Sequence, residues 1–241
     1  MNIALIGYGK MGKAIEKIAL ERGHEIVLKI TQANGHELTG DKLRNADVAI
    51  EFTTPEAAKT NVLHSLRAGV PVVCGTTGWN RHLDEAKLAA LENETAFLQT
   101  SNFSIGVNIF FEINNLLATL MNGQEDYKVV VEETHHTEKK DAPSGTAITL
   151  AEQIVAQMDR LKHWSLHPHK KDETDLLPIV AHREEHVPGT HKVQYSSPID
   201  EIEIIHTAHN REGFAKGAVL AAEYIAGKMG IFTMKDVLGI R

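Results

Sequence analysis

The chain has 241 residues, 42% of them hydrophobic and 24% charged, which is enough to bury the core of one large or two modest domains. Its 25 lysines and arginines against 32 acidic residues give a formal net charge of −7, so we expect no nucleic-acid partner, and no apolar run is long enough to span a membrane. The single cysteine, Cys74, excludes an internal disulfide and, with no signal-peptide pattern at the start, suits a cytoplasmic protein.

The first predicted element is a strand, Asn2 to Ile6, and a glycine-rich turn with the spacing G-x-G-x-x-G follows it at once. The turn consists of Gly7, Tyr8, Gly9, Lys10, Met11 and Gly12. Apolar residues then recur with helical spacing as far as Gly23. Glycines at these positions allow a tight bend, close approach to a pyrophosphate and close packing of the helix on the strand. The turn therefore predicts a dinucleotide-binding site.

The second strand, Glu25 to Ile30, bears on the choice of cofactor. A site that prefers NADH carries an acidic residue near the end of this strand, where the carboxylate binds the ribose hydroxyls. Here the residues are Thr31 and Gln32, and Lys10 and Lys29 lie nearby in sequence. We therefore expect NADPH or NADH as the cofactor, with NADPH used at least as well.

Strands continue to alternate with helices through the first half of the chain. Further strands are predicted at Asp47 to Phe52, Val72 to Cys74 and Ala96 to Gln99, with helices at Glu56 to Arg67 and Leu83 to Leu91. This alternation indicates a parallel sheet, which binds ligands beyond the carboxyl ends of its strands. The turn from Gly75 to Gly78 and the segment from Thr100 to Phe103 fall at those ends. For Cys74 no partner base is evident, so we expect a small buried hydrophobe.

The second half of the chain contains several strands without helices between them. The predicted strands are Lys128 to Glu133, Leu177 to Arg183, His191 to Ser196 and Asp200 to His209; the predicted helices are Ile105 to Met121, Gly145 to about Arg160 and Glu212 to Gly227; His163 to Thr174 is expected to be an irregular loop, and the tail from Phe232 to Leu238 to be partly helical. Such runs indicate a mixed or antiparallel sheet, hence a second domain of the α+β type.

The segment from Glu133 to Ala147 concentrates the chemistry of the second half. Two adjacent histidines, His135 and His136, are followed by Lys139, and then Gly145 and Thr146 open a helix that Asp141 or Ser144 can cap. Imidazole exchanges protons near neutral pH, ammonium binds carboxylates, and the N–H groups at a helix start attract anions. The segment thus offers an acid/base, a cation and an anion site, although a solvated surface loop remains the alternative.

Two histidine-rich stretches resemble metal sites. Residues His182 to His186 match H-x-x-E-H, an inverted zinc-protease motif that requires a helix to place both histidines on one face. Pro178 and Pro188 bracket the run, so a strand or loop fits better. The run His167 to His169 is expected to be a solvated loop. We therefore predict no metal site.

In combination these motifs resemble the 4-hydroxy-tetrahydrodipicolinate reductase family, also called dihydrodipicolinate reductase. The matching pieces follow one another along nearly the whole chain: Gly7-x-Gly9-x-Met11-Gly12, Phe52-Thr53-x-Pro55, Gly75-Thr76-Thr77-Gly78, Asn102-Phe103-Ser104, Glu133-x-His135-His136-x-x-Lys139-x-Asp141-Ala142-Pro143-Ser144-Gly145-Thr146-Ala147, Phe214-Ala215-x-Gly217-Ala218-Val219 and Met234-Lys235-Asp236-Val237-Leu238. The H-H-x-x-K-x-D-A-P-S-G-T-A motif is highly specific to that family.

The resemblance implies a fold of the α/β class, with a Rossmann-like cofactor domain and an α+β domain that carries a mixed sheet. The cofactor domain would comprise residues 1–103 and 210–241, and residues 104–209 would bind the substrate and build a homotetramer. The implied reaction is the reduction of 4-hydroxy-tetrahydrodipicolinate, a cyclic dicarboxylate, to tetrahydrodipicolinate with loss of water, in lysine and diaminopimelate biosynthesis.

The resemblance also implies roles for individual residues. His135 would be the proton donor and acceptor, Lys139 a proton donor, and His136, Gly145 and Thr146 would bind the substrate carboxylates. The cofactor would contact the turn from Gly7 to Gly12 and two further loops, at Gly75, Thr76, Thr77, Thr100, Ser101, Asn102 and Phe103. Thr31, Gln32, Thr100 and Ser101 depart from residues common in the family, and these departures bear on cofactor preference.

Three other functions stay open at this point. Another Rossmann dehydrogenase, acting on an amino-acid semialdehyde, would share the first half of the chain but would leave the H-H-x-x-K spacing unexplained. A non-catalytic nucleotide sensor would bind NAD(P)H without turnover. A zinc peptidase would contain a metal at the H-x-x-E-H run.

Overall fold

The computed structural model describes residues 1–166, 174–210 and 212–240. Its strands are β1 (Asn2–Ile6), β2 (Glu25–Ile30), β3 (Val48–Glu51), β4 (Val72–Cys74), β5 (Ala96–Gln99), β6 (Lys128–His135), β7 (His163–Leu166), β8 (Leu176–Arg183), β9 (Gly189–Ser196), β10 (Glu201–Ala208) and β11 (Gly230–Phe232). Its α-helices are α1 (Lys10–Glu21), α2 (Gly40–Leu43), α3 (Pro55–Arg67), α4 (Leu83–Glu92), α5 (Ile105–Met121), α6 (Gly145–Gln157), α7 (Glu212–Ile225) and α8 (Met234–Leu238). The chain forms two compact units, residues 1–105 with 212–241, and residues 106–211.

The first unit is built on a six-stranded sheet with the order β11-β5-β4-β3-β1-β2, and every pairing in it is parallel. Along β1, Ala4 and Ile6 belong to one buried cluster and Ile3 and Leu5 to the other, because successive side chains of a strand point to opposite faces. Helices α3 and α4 cover the first face, and α1 and α7 cover the second. Helices on both faces explain why the inner strands β1, β3 and β4 are almost continuously apolar.

The second unit contains a five-stranded mixed sheet with the order β10-β9-β6-β8-β7. Strand β6 runs antiparallel to β9 and parallel to β8. Its alternate residues, from Val129 and Val131 to Glu133 and His135, are buried on one face. Helix α6 lies against that face with Leu150 in the shared core. The polar site therefore extends the buried face of a core strand.

The predicted fold class, a Rossmann-like parallel sheet with an α+β part that carries a mixed sheet, is confirmed. The structure differs from the local predictions in three places. Residues 163–166 form β7, paired in parallel with β8, although a loop was expected, and the remainder of that loop, residues 167–173, lies outside the described residues. The segment Gly230–Phe232 forms a strand beside β5, and α6 ends at Gln157, before Arg160. In the part of the chain described, no helix is long and apolar enough to cross a membrane.

Candidate active site

The end of β6 delivers the two adjacent histidines to different surroundings, because neighbouring residues of a strand point to opposite faces. His135 is only 7% exposed and points to the buried face with Glu133. His136 is half-buried and lines a separate cavity of about 230 Å³ with His186, Val187, Pro188 and Asn210. The two residues are therefore not interchangeable, and only His135 lies in the buried polar cluster.

Glu133 lies at the centre of this buried polar cluster, whose other members are His135, Ser144, Arg183 and His191. Its Oε2 atom is 3.6 Å from Nδ1 of His135 and 3.8 Å from Nε2 of His191. The backbone N–H of Ser144 donates to the same oxygen at 3.0 Å, and Nη1 of Arg183 lies 3.6 Å from Oε1. The sheet register explains the meeting, since β9 places His191 opposite Glu133 and β8 places Arg183 opposite His135.

The loop after β6 is tied to the sheet by Arg183. The Nη2 atom of Arg183 donates to the carbonyl of Asp141 at 2.7 Å, and its Nε donates to the carbonyl of Lys139 at 3.3 Å. The ammonium of Lys139 donates to both carboxylate oxygens of Asp141, at 2.8 and 2.7 Å. This hydrogen-bonded ammonium lowers the pKa of Asp141. Lys139 is thus held near His135 but is paired with a carboxylate of its own loop.

The start of α6 is capped by Ser144, one of the two residues that the sequence allows. The hydroxyl of Ser144 accepts a hydrogen bond from the N–H of Ala147 at 3.2 Å and lies 3.1 Å from Nε2 of His191. Gly145, the next residue, is exposed, and a Cβ atom added to it would meet nothing within 4 Å. The first turn of α6 therefore has open space beside it, as an anion site at a helix start requires.

Burial favours the uncharged form of both histidines of the cluster. It lowers the pKa of His135, while the charge of Glu133 raises it and the charges of Lys139 and Arg183 lower it. Burial, assisted by the nearby His135, lowers the pKa of His191 to about 3. The pKa of His135 is thus shifted in the same direction, but at this residue the charge of Glu133 opposes the shift.

The predicted nucleotide-binding turn lines a cavity of about 520 Å³ in the first unit. Its walls include the glycine turn after β1, the end of β2 and the start of α3, namely Gly7, Tyr8, Gly9, Ile30, Thr31, Gln32, Gly35, Thr53, Thr54, Ala57 and Asn61. Gly7 has a φ of +97°, and a Cβ there would lie 1.9 Å from the carbonyl oxygen of Phe52. At Gly9 a Cβ would meet nothing. This open glycine beside a cavity fits a pyrophosphate.

Lys29 and Lys10, the two lysines near the glycine turn, differ in whether their ammonium groups are paired with a carboxylate. Nζ of Lys29 lies 2.5 Å from Glu16, which also accepts a hydrogen bond from the hydroxyl of Tyr8. Lys10 is exposed, and within the described residues it makes no ion pair. Lys10 therefore has a free ammonium beside the glycine turn, whereas that of Lys29 is already neutralised.

The other two predicted cofactor loops contribute mainly backbone. The hydroxyl of Thr76 donates to the buried Glu51 at 2.7 Å and accepts from the N–H of Thr53 at 2.8 Å, so it joins the ends of β3 and β4. Phe103 is buried in the core, and Asn102 is 8% exposed. Thr77 and Ser101 are exposed, and Gly75 and Thr100 are half-buried. Exposed backbone and small side chains are thus what these loops offer to a ligand.

The comparisons with known proteins agree with this geometry. Models of the dihydrodipicolinate reductase N-terminus and C-terminus match residues 1–103 and 106–238. The chain belongs to the dihydrodipicolinate reductase family. It is therefore an oxidoreductase dependent on a pyridine nucleotide, and its reaction is the family's reduction step in lysine and diaminopimelate biosynthesis. The predicted family and reaction class are confirmed.

Individual relatives resemble the chain over its whole length. A 4-hydroxy-tetrahydrodipicolinate reductase of Christiangramia forsetii is 53% identical over 99% of this chain and 98% of its own, and one of Chromobacterium violaceum is 32% identical over 100% and 99%. A crystal structure of a dipicolinate-bound dihydrodipicolinate reductase from Paenisporosarcina sp. TG-14 is similar with a TM-score of 0.78, at 22% identity over 97% of each chain. That structural similarity supports the fold.

Three residues of the cluster, Glu133, Arg183 and His191, were not among the predicted site residues. Period-two alternation along β6 places Glu133 on the face of His135 and was the available signal. His191 lies on a distant strand, and only the sheet register brings it close. The H-x-x-E-H run is divided between the end of β8 and a turn, so it does not form the helix that a zinc peptidase needs.

Within the described residues, one group of donors has the composition of a metal site. Glu133, His135 and His191 each offer one ligand atom, and these three atoms lie within 4.8 Å of one another. The N–H of Ser144 already donates to the carboxylate, the hydroxyl of Ser144 lies beside His191, and Arg183 places a positive charge next to Glu133. These contacts fit a hydrogen-bonded charge cluster better than a dication site, and the absence of a metal stays a prediction.

Cys74 is buried between Glu51 and Trp79 at the end of β4. Burial, with the charge of Glu51 beside it, raises the pKa of its thiol. A thiol is nucleophilic only as thiolate, so Cys74 is inert at neutral pH.

Proposed function

We propose that the chain reduces 4-hydroxy-tetrahydrodipicolinate to tetrahydrodipicolinate with NADPH or NADH, and that water leaves in the reaction. The observation that carries this proposal is the fold of the H-H-x-x-K-x-D-A-P-S-G-T-A segment. It places His135, Lys139 and the open start of α6 around the end of one strand. The bound nicotinamide supplies the hydride. The chain's own residues then have to bind two carboxylates and move protons.

His135 and Lys139 are proposed as the groups that move protons. Imidazole is the side chain that most often transfers protons in enzymes, and burial lowers the pKa of the imidazole of His135. Lys139 holds an ammonium beside it, and a substrate carboxylate can replace Asp141 as the partner of that ammonium. Loss of water leaves the proton count unchanged, because the proton given to the departing hydroxyl is matched by one removed from a ring carbon. The hydride addition then consumes one net proton, and His135 and Lys139 can take up and supply these protons.

The substrate carboxylates are proposed to bind at His136 and at the start of α6, where the residues are Gly145 and Thr146. The Paenisporosarcina relative has dipicolinate, an aromatic dicarboxylate, bound in its crystal structure. A flat dicarboxylate requires two anion sites, and a helix start together with a His/Lys cluster provides two.

Substitution of Gly145 tests the anion site. Because a Cβ there meets no protein atom, Gly145→Val should fold normally and yet raise the KM for the substrate strongly by filling the space for its carboxylate. Thr146→Val, which keeps the backbone N–H, should raise KM less. Wild-type KM values in both variants would argue against a substrate site at this helix.

The two parts of the chain are proposed to divide the work. Residues 1–103 and 210–241 would bind the dinucleotide through the turn from Gly7 to Gly12, Gly75 to Thr77 and Thr100 to Phe103. Residues 104–209 would bind the substrate and form a homotetramer, and the enzyme would be cytoplasmic.

Exposed apolar side chains on the second unit support the tetramer. Ile109, Ile113, Leu116 and Leu120 of α5 are exposed at intervals of four, three and four, which places them in one stripe. Strand β10 is an eight-residue edge strand that carries exposed Ile202 and Ile205, and such an edge is open to pairing with another chain. Light scattering should give a tetramer mass, and Leu116→Lys with Leu120→Lys should reduce it; a monomeric wild type would contradict the proposal.

The decisive experiment is a spectrophotometric assay of NAD(P)H consumption. The substrate would be generated in the cuvette by dihydrodipicolinate synthase, and aspartate semialdehyde alone would serve as the competing substrate. We expect turnover only with the synthase product, unchanged after dialysis against a chelator. Turnover with the semialdehyde alone would favour the other dehydrogenase, binding of NAD(P)H without turnover would favour a sensor, and loss of activity with the chelator would favour a metal enzyme.

A further inference from the structure

We infer that Glu133 is a positioning residue for His135, and that its buried carboxylate orients the imidazole and sets the range of pH over which His135 can donate a proton. This inference rests on the proposed function, in which His135 handles the proton. Glu133 is placed to act through His135, since it contacts His135, Ser144, Arg183 and His191.

The orientation follows from which ring nitrogen faces the carboxylate. Nδ1 of His135 is buried, has no hydrogen-bond partner and lies 3.6 Å from Oε2 of Glu133. A carboxylate at this position favours a proton on Nδ1, so Nε2 is left to exchange a proton with the substrate. A modest rotation of either side chain converts the 3.6 Å contact into a hydrogen bond and would fix that tautomer.

The electrostatic role follows from the charges that face His135. They are the carboxylate of Glu133 on its own strand, Lys139 and Asp141 in the following loop, Arg183 on β8 and the neutral His191 on β9. Asp141 is largely exposed and bound to Lys139, so among the described residues Glu133 is the one buried negative charge beside the ring. Its charge raises the pKa of His135, whereas burial and the two cations, Lys139 and Arg183, lower that pKa by favouring the neutral imidazole.

The same carboxylate also fixes the start of α6. The N–H of Ser144 donates to Oε2 of Glu133, and the hydroxyl of Ser144 then caps the helix. One side chain thus sets the position of the proposed proton donor and of the proposed carboxylate site. The alternative is that Glu133 only balances the charge of Arg183, and this alternative predicts a loss of stability without a change in His135.

The test is Glu133→Gln, which removes the charge but keeps an oxygen for the N–H of Ser144. The pKa of His135, followed by NMR with labelled histidine and assigned from the spectrum of His135→Gln, should fall by about one unit. The alkaline limb of the kcat profile should move to lower pH, because His135 then loses its proton earlier. kcat at neutral pH should fall about tenfold or more, because a carboxylate that holds a catalytic imidazole in the correct tautomer contributes at least that much where it has been removed.

The matched control is Glu132→Gln, since the neighbouring residue points to the opposite face of β6 and pairs with Lys192 at 3.1 Å. It should leave both the titration of His135 and the kcat profile unchanged. If Glu133→Gln lowers the melting temperature but moves neither quantity, the inference is wrong and Glu133 is structural. If the titration moves while the profile stays, the coupling stands and the role proposed for His135 in the reaction is wrong.

One measurement does not depend on whether Glu133→Gln folds. In the wild-type enzyme at alkaline pH, the nitrogen shifts of His135 should report a proton on Nδ1. A proton on Nε2 would overturn the inference.

Discussion

The glycine turn after β1 and the end of β6 are built in opposite ways. Around Gly7 the chain leaves no room for a side chain, since a Cβ there would lie 1.9 Å from a carbonyl oxygen, and beside Gly9 it leaves a cavity. Around Glu133 the chain buries a carboxylate and two imidazoles, and a half-buried guanidinium and both imidazoles lie within 4 Å of that carboxylate. The first site is thus shaped by absent side chains and the second by charged ones.

This difference indicates how each region responds to substitution. A dinucleotide phosphate is bound mainly by backbone N–H groups, so the glycine turn should be sensitive to volume and tolerant of charge. Proton transfer depends on protonation states, so the end of β6 should be sensitive to charge and to pH even where the shape is kept.

The largest effect is expected at the end of β6. His135→Ala should lower kcat about 10²- to 10⁴-fold, the usual contribution of a general acid or base, and Lys139→Ala should do the same. The dissociation constant for NADPH, measured by fluorescence titration, should stay near that of the wild type. His182→Ala is the control, since His182 is an exposed residue of β8, and it should keep full activity. A His135→Ala enzyme with near wild-type kcat would rule out its role.

In the glycine turn, two alanine substitutions should separate folding from binding. Gly7→Ala combines a positive φ with a severe clash, so it should lower stability by about 2 kcal/mol or more, or prevent folding. Gly9→Ala adds a methyl group that meets nothing, so the melting temperature should not change. Dinucleotide binding should nevertheless weaken, because the methyl group occupies the approach to the pyrophosphate. Unchanged NADPH affinity in Gly9→Ala would contradict the assignment of the turn.

The pH dependence of stability should reveal the buried histidines. Burial lowers the pKa of His191 to about 3, whereas the unfolded chain has the ordinary value near 6.5. Between these values the unfolded state binds the extra proton, so His191 should make the free energy of unfolding fall as pH drops, by up to about 1.4 kcal/mol per pH unit. In denaturant titrations, His191→Gln should flatten this slope, and His36→Gln, an exposed site, should not. If the free energy of unfolding depends on pH with the same slope in His191→Gln and in the wild type, the low pKa of His191 would be refuted.

The contrast between the two sites also explains what the sequence could predict. The alternation of apolar runs indicated the parallel sheet, and the glycine spacing indicated the cavity beside it. Strand β11 was missed because three residues show no periodicity and are stabilised by pairing with β5. The cluster around Glu133 was missed because His191 and Arg183 reach it only through the register of β9 and β8. Local patterns contain no information about such long-range pairing.

The smallest effect is expected in the choice of cofactor. Among the described residues that line the cavity at the end of β2, none is acidic, so a 2′-phosphate meets no like charge from them. NADPH should therefore be used at least as well as NADH. Of the two residues at that position, Thr31 donates from its backbone N–H and its hydroxyl to Asn34, at 2.6 and 2.8 Å, while Gln32 is exposed. Thr31→Asp and Gln32→Asp should both shift the ratio of kcat/KM toward NADH, and Gln32→Asp should do so with less loss of stability.

Lys10 and Lys29 allow a more specific test of cofactor choice, because Lys29 is paired with Glu16 and Lys10 makes no ion pair within the described residues. Lys10→Ala should weaken the binding of NADPH more than the binding of NADH. The difference should be a few-fold to about tenfold, which corresponds to at most ~1.4 kcal/mol. Lys29→Ala should change the ratio little, because Glu16 already neutralises that ammonium, and Glu16→Gln should release it and favour NADPH further. The measurement is the ratio of kcat/KM for the two cofactors at matched ionic strength. A wild-type ratio that clearly favours NADH would show that another loop binds the ribose hydroxyls, and that the end of β2 does not control cofactor choice.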